Sequence, residues 1–429
     1  MHASPKYLLG LTSGILGLIA VAASVNYWVD PYGIYRSPPT EGTRGNKPTA
    51  ASKGPLVKAY QIERAQARTL VLGNSRAEIG FDPEDSAWPA EAQPVYNAAL
   101  PGTWTDVSLL YLQNALVATR PSTVILGVDF PDFLVAPDER PALKKASSNS
   151  ELEARLRVDA DGNPNPDRPR QRLRDTAATV FSLDAIIDSV RTVAARNNPY
   201  SENLTARGFN PMRDYVLIAR NDGYRSMFLQ KDQANIKAYL KRPHAIYRLN
   251  SATSTPLEHL QHIIAVCREH NIQLKLVIYP YHARLLEIIS ATGHWSAFEQ
   301  WKGALARIVD EDAAAHAGAT LVTLWDFSGY NTFTIDPVPA PHDLRTQTNW
   351  FWEAGHFKSE LGSVVLKTMF RVAHRAPAEG AEIGAVLSPE NLAARIANTR
   401  RERELYLTQY PSEVAEIQEL VRRLGAKTD

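Results

Sequence analysis

The first apolar stretch of the chain, Tyr7 to Val25, runs for 19 residues without a charge, between Lys6 and the sequence Asn26-Tyr27-Trp28. As a helix, a run of that length just spans a bilayer, and a Tyr-Trp pair suits the membrane–water interface. The apolar runs that follow are shorter. Thr69–Gly73, Val95–Leu100, Thr123–Val128, Gln273–Tyr279 and Thr320–Trp325 are rich in Val, Leu and Ile and predict five β-strands. Between them, Asp106–Ala118, Leu257–Glu269 and Ala297–Ala315 read as helices. This alternation predicts an α/β fold: a parallel sheet with helices on both faces, which binds ligands beyond the carboxyl ends of its strands.

The remaining segments divide the chain. Residues 1–28 form the expected transmembrane anchor and residues 29–60 an extracytoplasmic linker, because Ser37 to Pro55 is rich in Pro, Gly, Thr, Ser and Lys. Residues 61–378 form the α/β body. It carries a long insertion at about 137–254, between the third and fourth strands, which is heavily charged over Lys144–Asp175 and then helical at Phe181–Ala195. Tyr200–Tyr247 is polar with scattered aromatics, and the insertion either caps the site or packs on one flank. Residues 379–429 form a tail of one or two amphipathic helices. Ala20-Val21-Ala22-Ala23 would pass as a signal-peptide cleavage site, but the apolar run is long for a signal peptide and favours an uncleaved anchor. Lys6 and the terminal amine on one side, with Arg36 the nearest cation on the other, put the N-terminus inside. The bulk of a single-pass protein would then lie in a periplasm-like space outside the cytoplasmic membrane.

Composition excludes more than it suggests. Lys+Arg 47 against Asp+Glu 46 leaves a net charge of +1 with no basic stripe, so nucleic acid is not an expected partner. Cys267, the single cysteine, offers neither an intrachain disulfide nor a thiolate zinc site, and no metal or other cofactor is expected.

The chemistry sits in two short segments. Leu70-Val71-Leu72-Gly73-Asn74-Ser75-Arg76 is an apolar strand that stops at a small-residue turn and delivers a serine. Trp352-Glu353-Ala354-Gly355-His356 puts a carboxylate three residues before a histidine, so that both can face one site. A hydroxyl, a base and a group that orients the base are the requirements of nucleophilic acyl transfer.

These segments, with two between them, resemble the SGNH (GDSL-like) hydrolase superfamily. That family has a Gly-Asp-Ser turn after its first strand, matched here by Gly73-Asn74-Ser75. It has an Asn followed five positions later by a Gly that lends its N–H to an oxyanion, matched by Asn97 and Gly102. Its Gly-x-Asn is answered by Gly127-Val128-Asp129, and its Asp-x-x-His followed by Gly by Glu353, His356 and Gly362. Three residues depart from the pattern: Asn74 and Glu353 replace aspartates, and Asp129 replaces an amide. The resemblance implies a flavodoxin-like SGNH fold with Ser75 as nucleophile, His356 as base then acid, and Glu353 orienting His356. The N–H groups of Ser75 and Gly102 would hold the oxyanion. An ionised Asp129 beside that oxyanion is unfavourable, so it is expected to turn away and pair with Arg76 or Arg284, with Arg76 favoured.

The whole layout is similar to that of the membrane-anchored proteins that O-acetylate alginate and D-alanylate teichoic acid. It implies action on O-acyl esters of an extracytoplasmic polysaccharide, with a carbohydrate or acyl-ester substrate and other membrane proteins of a polysaccharide pathway as partners. A non-catalytic scaffold of the same fold is the alternative. Two further features remain open on the sequence alone. His282, after the fourth strand beside Arg284, is a candidate substrate contact. Trp104, Trp350, Phe351 and Trp352 are either core packing or a platform for sugar rings.

Overall fold

In the computed structural model, residues 5–35, 45–139, 150–316, 322–371 and 383–426 are described. Arg36, Lys144, Thr320, Glu379 and residues 37–44 of the expected spacer lie outside them. Helix α1 (Pro5–Val29) is long and apolar enough to cross a membrane, and its apolar stretch is not buried by the rest of the chain. The short helices α2 (Pro48–Ser52) and α3 (Gly54–Gln61) lead into strand β1 (Thr69–Leu72) and helix α4 (Ser75–Gly80). Strand β2 (Val95–Asn97), helix α5 (Thr105–Ala118) and strand β3 (Thr123–Val128) complete the first half of the sheet.

The insertion then supplies α6 (Ser150–Arg155), α7 (Arg168–Val180), α8 (Leu183–Ala195) and the long α9 (Arg213–Tyr239), which Gly223 kinks at a φ of +77°. Helix α10 (Thr255–Glu269), β4 (Gln273–Ile278), α11 (Ala283–Ala291), α12 (Trp295–Ala315) and β5 (Val322–Asp326) form the second half. A hairpin, β6 (Phe351–Glu353) and β7 (His356–Phe357), precedes α13 (Ser359–Arg371), and the chain closes with β8 (Ala385–Val386), α14 (Pro389–Gln409) and α15 (Pro411–Gly425).

The sheet order is β2-β1-β3-β4-β5-β8, parallel throughout except for β8, which pairs antiparallel with β5 at the edge. The apolar runs become strands because helices cover both faces: Leu70, Val71, Val124, Ile125, Leu274 and Leu276 are all fully buried in one continuous core. One expectation needs correction. Residues 29–35 and 45–60 do not behave as a spacer: Tyr32, Ile34, Ala50 and Val57 form a small core with Ala185 and Leu204 of the insertion. The polar, aromatic-dotted stretch Tyr200–Tyr247 contains helix α9, which buries Tyr224, Met227, Phe228 and Ile236.

Candidate active site

Strand β1 ends at Gly73, whose φ of +135° no ordinary side chain adopts easily; a Cβ there would also sit 2.5 Å from the Tyr279 hydroxyl. Asn74 then caps α4, its Oδ1 accepting from the Arg76 N–H at 3.1 Å, so Ser75 occupies the first helical position. Its N–H therefore has no partner within the helix. The same tyrosine explains Gly127, where a Cβ would overlap the phenol at 1.9 Å.

The base arrives on the β6–β7 hairpin. Glu353 and His356 face each other across a two-residue Ala354-Gly355 turn, and directly opposed residues point to the same face. Two glycines allow this hairpin to approach α4. A Cβ on Gly80 would lie 2.0 Å from the Phe357 ring, and one on Gly362 would lie 1.7 Å from the Gly80 carbonyl. Gly362, a member of the fourth matched block, is thus a contact point rather than a chemical group.

The result is a continuous relay. Ser75 Oγ lies 2.8 Å from His356 Nε2, and His356 Nδ1 is hydrogen-bonded to Glu353 Oε1. Because a carboxylate only accepts, Nδ1 carries the proton and Nε2 is left as acceptor for the serine hydroxyl. Glu353 Oε2 accepts from the Gly355 N–H at 2.6 Å, and Lys231 Nζ of the insertion stands 3.9 Å from Oε1. Burial opposes the Glu353 charge. The His356 pairing, Lys231 and the Gly355 N–H nonetheless hold its carboxyl below the usual carboxylate range. Glu353 is buried while Ser75 and His356 are only partly so, which leaves the reactive pair reachable from solvent.

Asp129 turns toward Arg76. Its Oδ2 accepts from Arg76 and, at 2.7 Å, from Asn74 Nδ2, while Oδ1 accepts from the Tyr281 hydroxyl at 2.7 Å. Arg76 also lies 5.5 Å from the centre of the Tyr281 ring. Burial works against the Arg76 charge, but Asp129 beside it raises the guanidinium pKa above its ordinary value. The hydrogen bond from Asn74 to Asp129 joins two of the three positions that depart from the family pattern. Where the family has an acid at the first and an amide at the second, this chain has the amide first and the acid second. Relative to the resembled pattern, the acid and the amide stand in each other's place.

Other sequence candidates fall elsewhere. Asn97 does not face the reactive pair: its buried amide donates to the Ala77 and Phe81 carbonyls at 2.8 and 2.9 Å and accepts from the Ala99 N–H. It closes the far end of the short helix that starts at Ser75. The loop towards Gly102 is pinned to the nucleophile turn, with the Leu100 N–H donating to the Gly73 carbonyl at 3.0 Å. Gly102 itself is exposed, at a φ of +67°. His282 is buried, Nδ1 accepting from the Arg284 N–H at 3.1 Å and Nε2 donating to the Asp336 carbonyl at 2.8 Å. It is a helix cap wedged between Phe228 and Phe351, not a substrate contact. Arg284 is committed to Asp232 and Glu416.

Phe351 is core, and Trp350 packs edge-on against Phe333. Trp352 stacks with Tyr224 of α9, with Lys358 over both rings, and Trp104 stays exposed. The insertion therefore touches the hairpin that carries Glu353. Lys231 and Tyr281 are the site residues that sequence reasoning passed over. Tyr281 had a visible signal, since it stands one residue before His282 at the same strand end. A surface hollow of about 800 Å³, lined by Pro121, Ser122 and Asn271, opens at the opposite, amino end of the strands. No protein-family model matches the chain, and no curated protein is significantly similar to it.

Proposed function

We propose that the chain is a membrane-anchored, SGNH-like serine enzyme acting on O-acyl esters of an extracytoplasmic polysaccharide, by acyl transfer through Ser75. The observation that carries this reading is the unbroken line from the Ser75 hydroxyl through both nitrogens of His356 to Glu353. In the proposed cycle, Ser75 Oγ attacks the acyl carbonyl as its proton passes to His356 Nε2. The oxyanion is received by the N–H groups of Ser75 and Gly102, and Glu353 stabilises the imidazolium. Collapse of the tetrahedral species expels the donor alcohol, which takes the proton from His356 and leaves an acyl-serine. An acceptor sugar hydroxyl then repeats the steps in reverse. Water in its place would make the enzyme an esterase.

The partly open position of Ser75 suits a polymer better than a small molecule enclosed in a cleft. The exposed Trp104 beside Gly102 offers a flat apolar face to a sugar ring. Helix α1 is read as an uncleaved anchor with the bulk of the chain outside the cytoplasmic membrane. A reporter joined after Asp429 should then behave as extracytoplasmic, and the protein should remain in membranes after a high-salt wash. Recovery of a soluble protein beginning near Ser24 would refute the anchor.

The test of the chemistry is intact mass. The full chain in detergent, incubated with a fluorophosphonate or an activated acetyl ester, should gain one adduct that maps to Ser75. A folded protein without that adduct would favour the non-catalytic scaffold.

A further inference from the structure

Helix α8 is amphipathic the wrong way round for a water-exposed surface. On α8 the residues turned inward are polar: Asp188 accepts from the Tyr32 hydroxyl at 2.7 Å, and Ser189 donates to Asn26 Oδ1 at 2.9 Å. The residues turned outward at i, i+4 and i+7 are Leu183, Ile187 and Val190, with Leu183 77% exposed. Helix α7, which leads into it, buries Gln171, Asp175, Thr179 and Val180 and turns Arg170, Arg172 and Arg174 outward together with Leu173, 72% exposed. A helix lying on a soluble body buries its apolar stripe and wets its polar one. A contiguous apolar face in the opposite sense marks contact with something other than water.

The position of this face says what that is. Asn26, in the last turn of α1, donates through Nδ2 to the Val180 carbonyl at 2.9 Å and to the Ser182 carbonyl at 3.5 Å. The exposed Phe181 lies between those two acceptors, so the α7–α8 corner is level with Asn26, immediately before Tyr27 and Trp28. If the preceding apolar run fills the bilayer, that level is the boundary between acyl chains and headgroups. The face is not free to leave it, because the small core of Tyr32, Ile34, Ala50 and Val57 with Ala185 ties the end of α1 to α8 itself. Arg170, Arg172, Arg174 and Arg191 are exposed on the same two helices, with Asp184 the acidic exception on α8. Guanidinium groups there suit phosphate oxygens.

We propose that the outward face of α8, with the α7–α8 corner, is seated in the headgroup–acyl boundary of the bilayer that α1 crosses. The partner is an anionic phospholipid surface, and the contact fixes the orientation of the whole body relative to the membrane. The proposal rests on α1 being a membrane span; it does not depend on the chemistry at Ser75.

The test uses the full chain in vesicles of phosphatidylethanolamine and phosphatidylglycerol containing a shallow spin-labelled lipid. Single cysteines replace Ile187, Val21 in the middle of α1, or the exposed Leu405 of α14, and each carries a small fluorophore; the native Cys267 is buried and stays unlabelled. The expected result is loss of fluorescence at Val21 and at Ile187 and none at Leu405. Quenching at Val21 without quenching at Ile187 would overturn the proposal and leave the anchor standing. No quenching at Val21 would overturn both. An Ile187 label that is shielded in native membranes but bright in lipid vesicles would assign the face to a membrane-protein partner instead and would also overturn it.

Discussion

Two histidines stand at the carboxyl end of the same sheet and differ in nearly everything that decides chemistry. His356 gives Nδ1 to a carboxylate and Nε2 to a hydroxyl, at a position that solvent reaches. His282 gives Nδ1 to one backbone group and Nε2 to another, and it is sealed between aromatic rings. Burial of His282 pushes its pKa down to about 3, with the nearby Arg284 charge adding to the effect. Location at the carboxyl end of an α/β sheet does not by itself suit a histidine to chemistry. The partners differ: a carboxylate behind and a hydroxyl in front suit the base of the proposed reaction, whereas two backbone partners make a cap.

The sharpest break of this comparison is at the serine. Ser75→Ala removes the transferable proton and should abolish esterase or transferase turnover, by about 10⁶-fold if the relay acts as a unit. Circular dichroism and melting temperature should be unchanged, because the small side chain sits at a first helical position that asks for no cap. Next comes Glu353→Gln. An amide can present its NH2 to His356 Nδ1 and favour the wrong tautomer, so a loss of about 10³- to 10⁴-fold in kcat with little change in KM is expected. Activity retained within tenfold would mean that the Gly355 N–H and Lys231 matter more than the carboxylate and that the relay is misassigned.

The exchanged pair offers a finer test. Asp129→Asn restores the amide that the resembled family carries, yet it takes from Arg76 and Tyr281 the carboxylate to which both donate. A loss of about 10- to 100-fold in kcat/KM is expected, corresponding to about 1–3 kcal/mol for orphaned donors. Asn74→Asp alone should also be harmful, since it sets two carboxylates at hydrogen-bond distance. The double variant Asn74→Asp/Asp129→Asn rebuilds the pair in its other sense. It should recover part of the activity, with a positive coupling measured in the double-mutant cycle. Strictly additive losses would show that the exchange is not compensatory.

That pair also marks how far the chain could be read in advance. The parallel sheet was legible because five apolar runs with strand composition alternate with helical ones, and all five match observed strands to within a few residues. Ser75, Glu353 and His356 were legible because strand-end and local spacing already place them. His282 was misread because its position at a strand end was visible, but its hydrogen-bond partner on Asp336 was not; the partners of Asn97 on Ala77 and Phe81 were equally hidden. Lys231 reaches the site from a helix 122 positions earlier than Glu353, so no local pattern reports it. The sense of α8 was hidden as well, because periodicity reveals an apolar stripe but not which way it turns.

The smallest effect separates the two histidines by pH. Below about 6.5 an unfolded chain protonates its histidines, whereas folded His282 resists protonation down to about 3. The unfolded state then binds more protons than the native state, so stability falls as pH drops, by up to about 1.4 kcal/mol per pH unit for this one group. His282→Asn keeps a side-chain oxygen for the Arg284 N–H and loses the donation to Asp336, which should cost about 1–2 kcal/mol at neutral pH. Kinetics at neutral pH should be nearly unchanged, because His282 touches none of the reacting groups. In urea melts from pH 7 down to pH 4, the variant should lose stability less steeply than the parent, so that the two curves converge. Parallel curves would place the acid sensitivity in another group. A drop in kcat as large as that of Glu353→Gln would return His282 to the reactive end of the sheet.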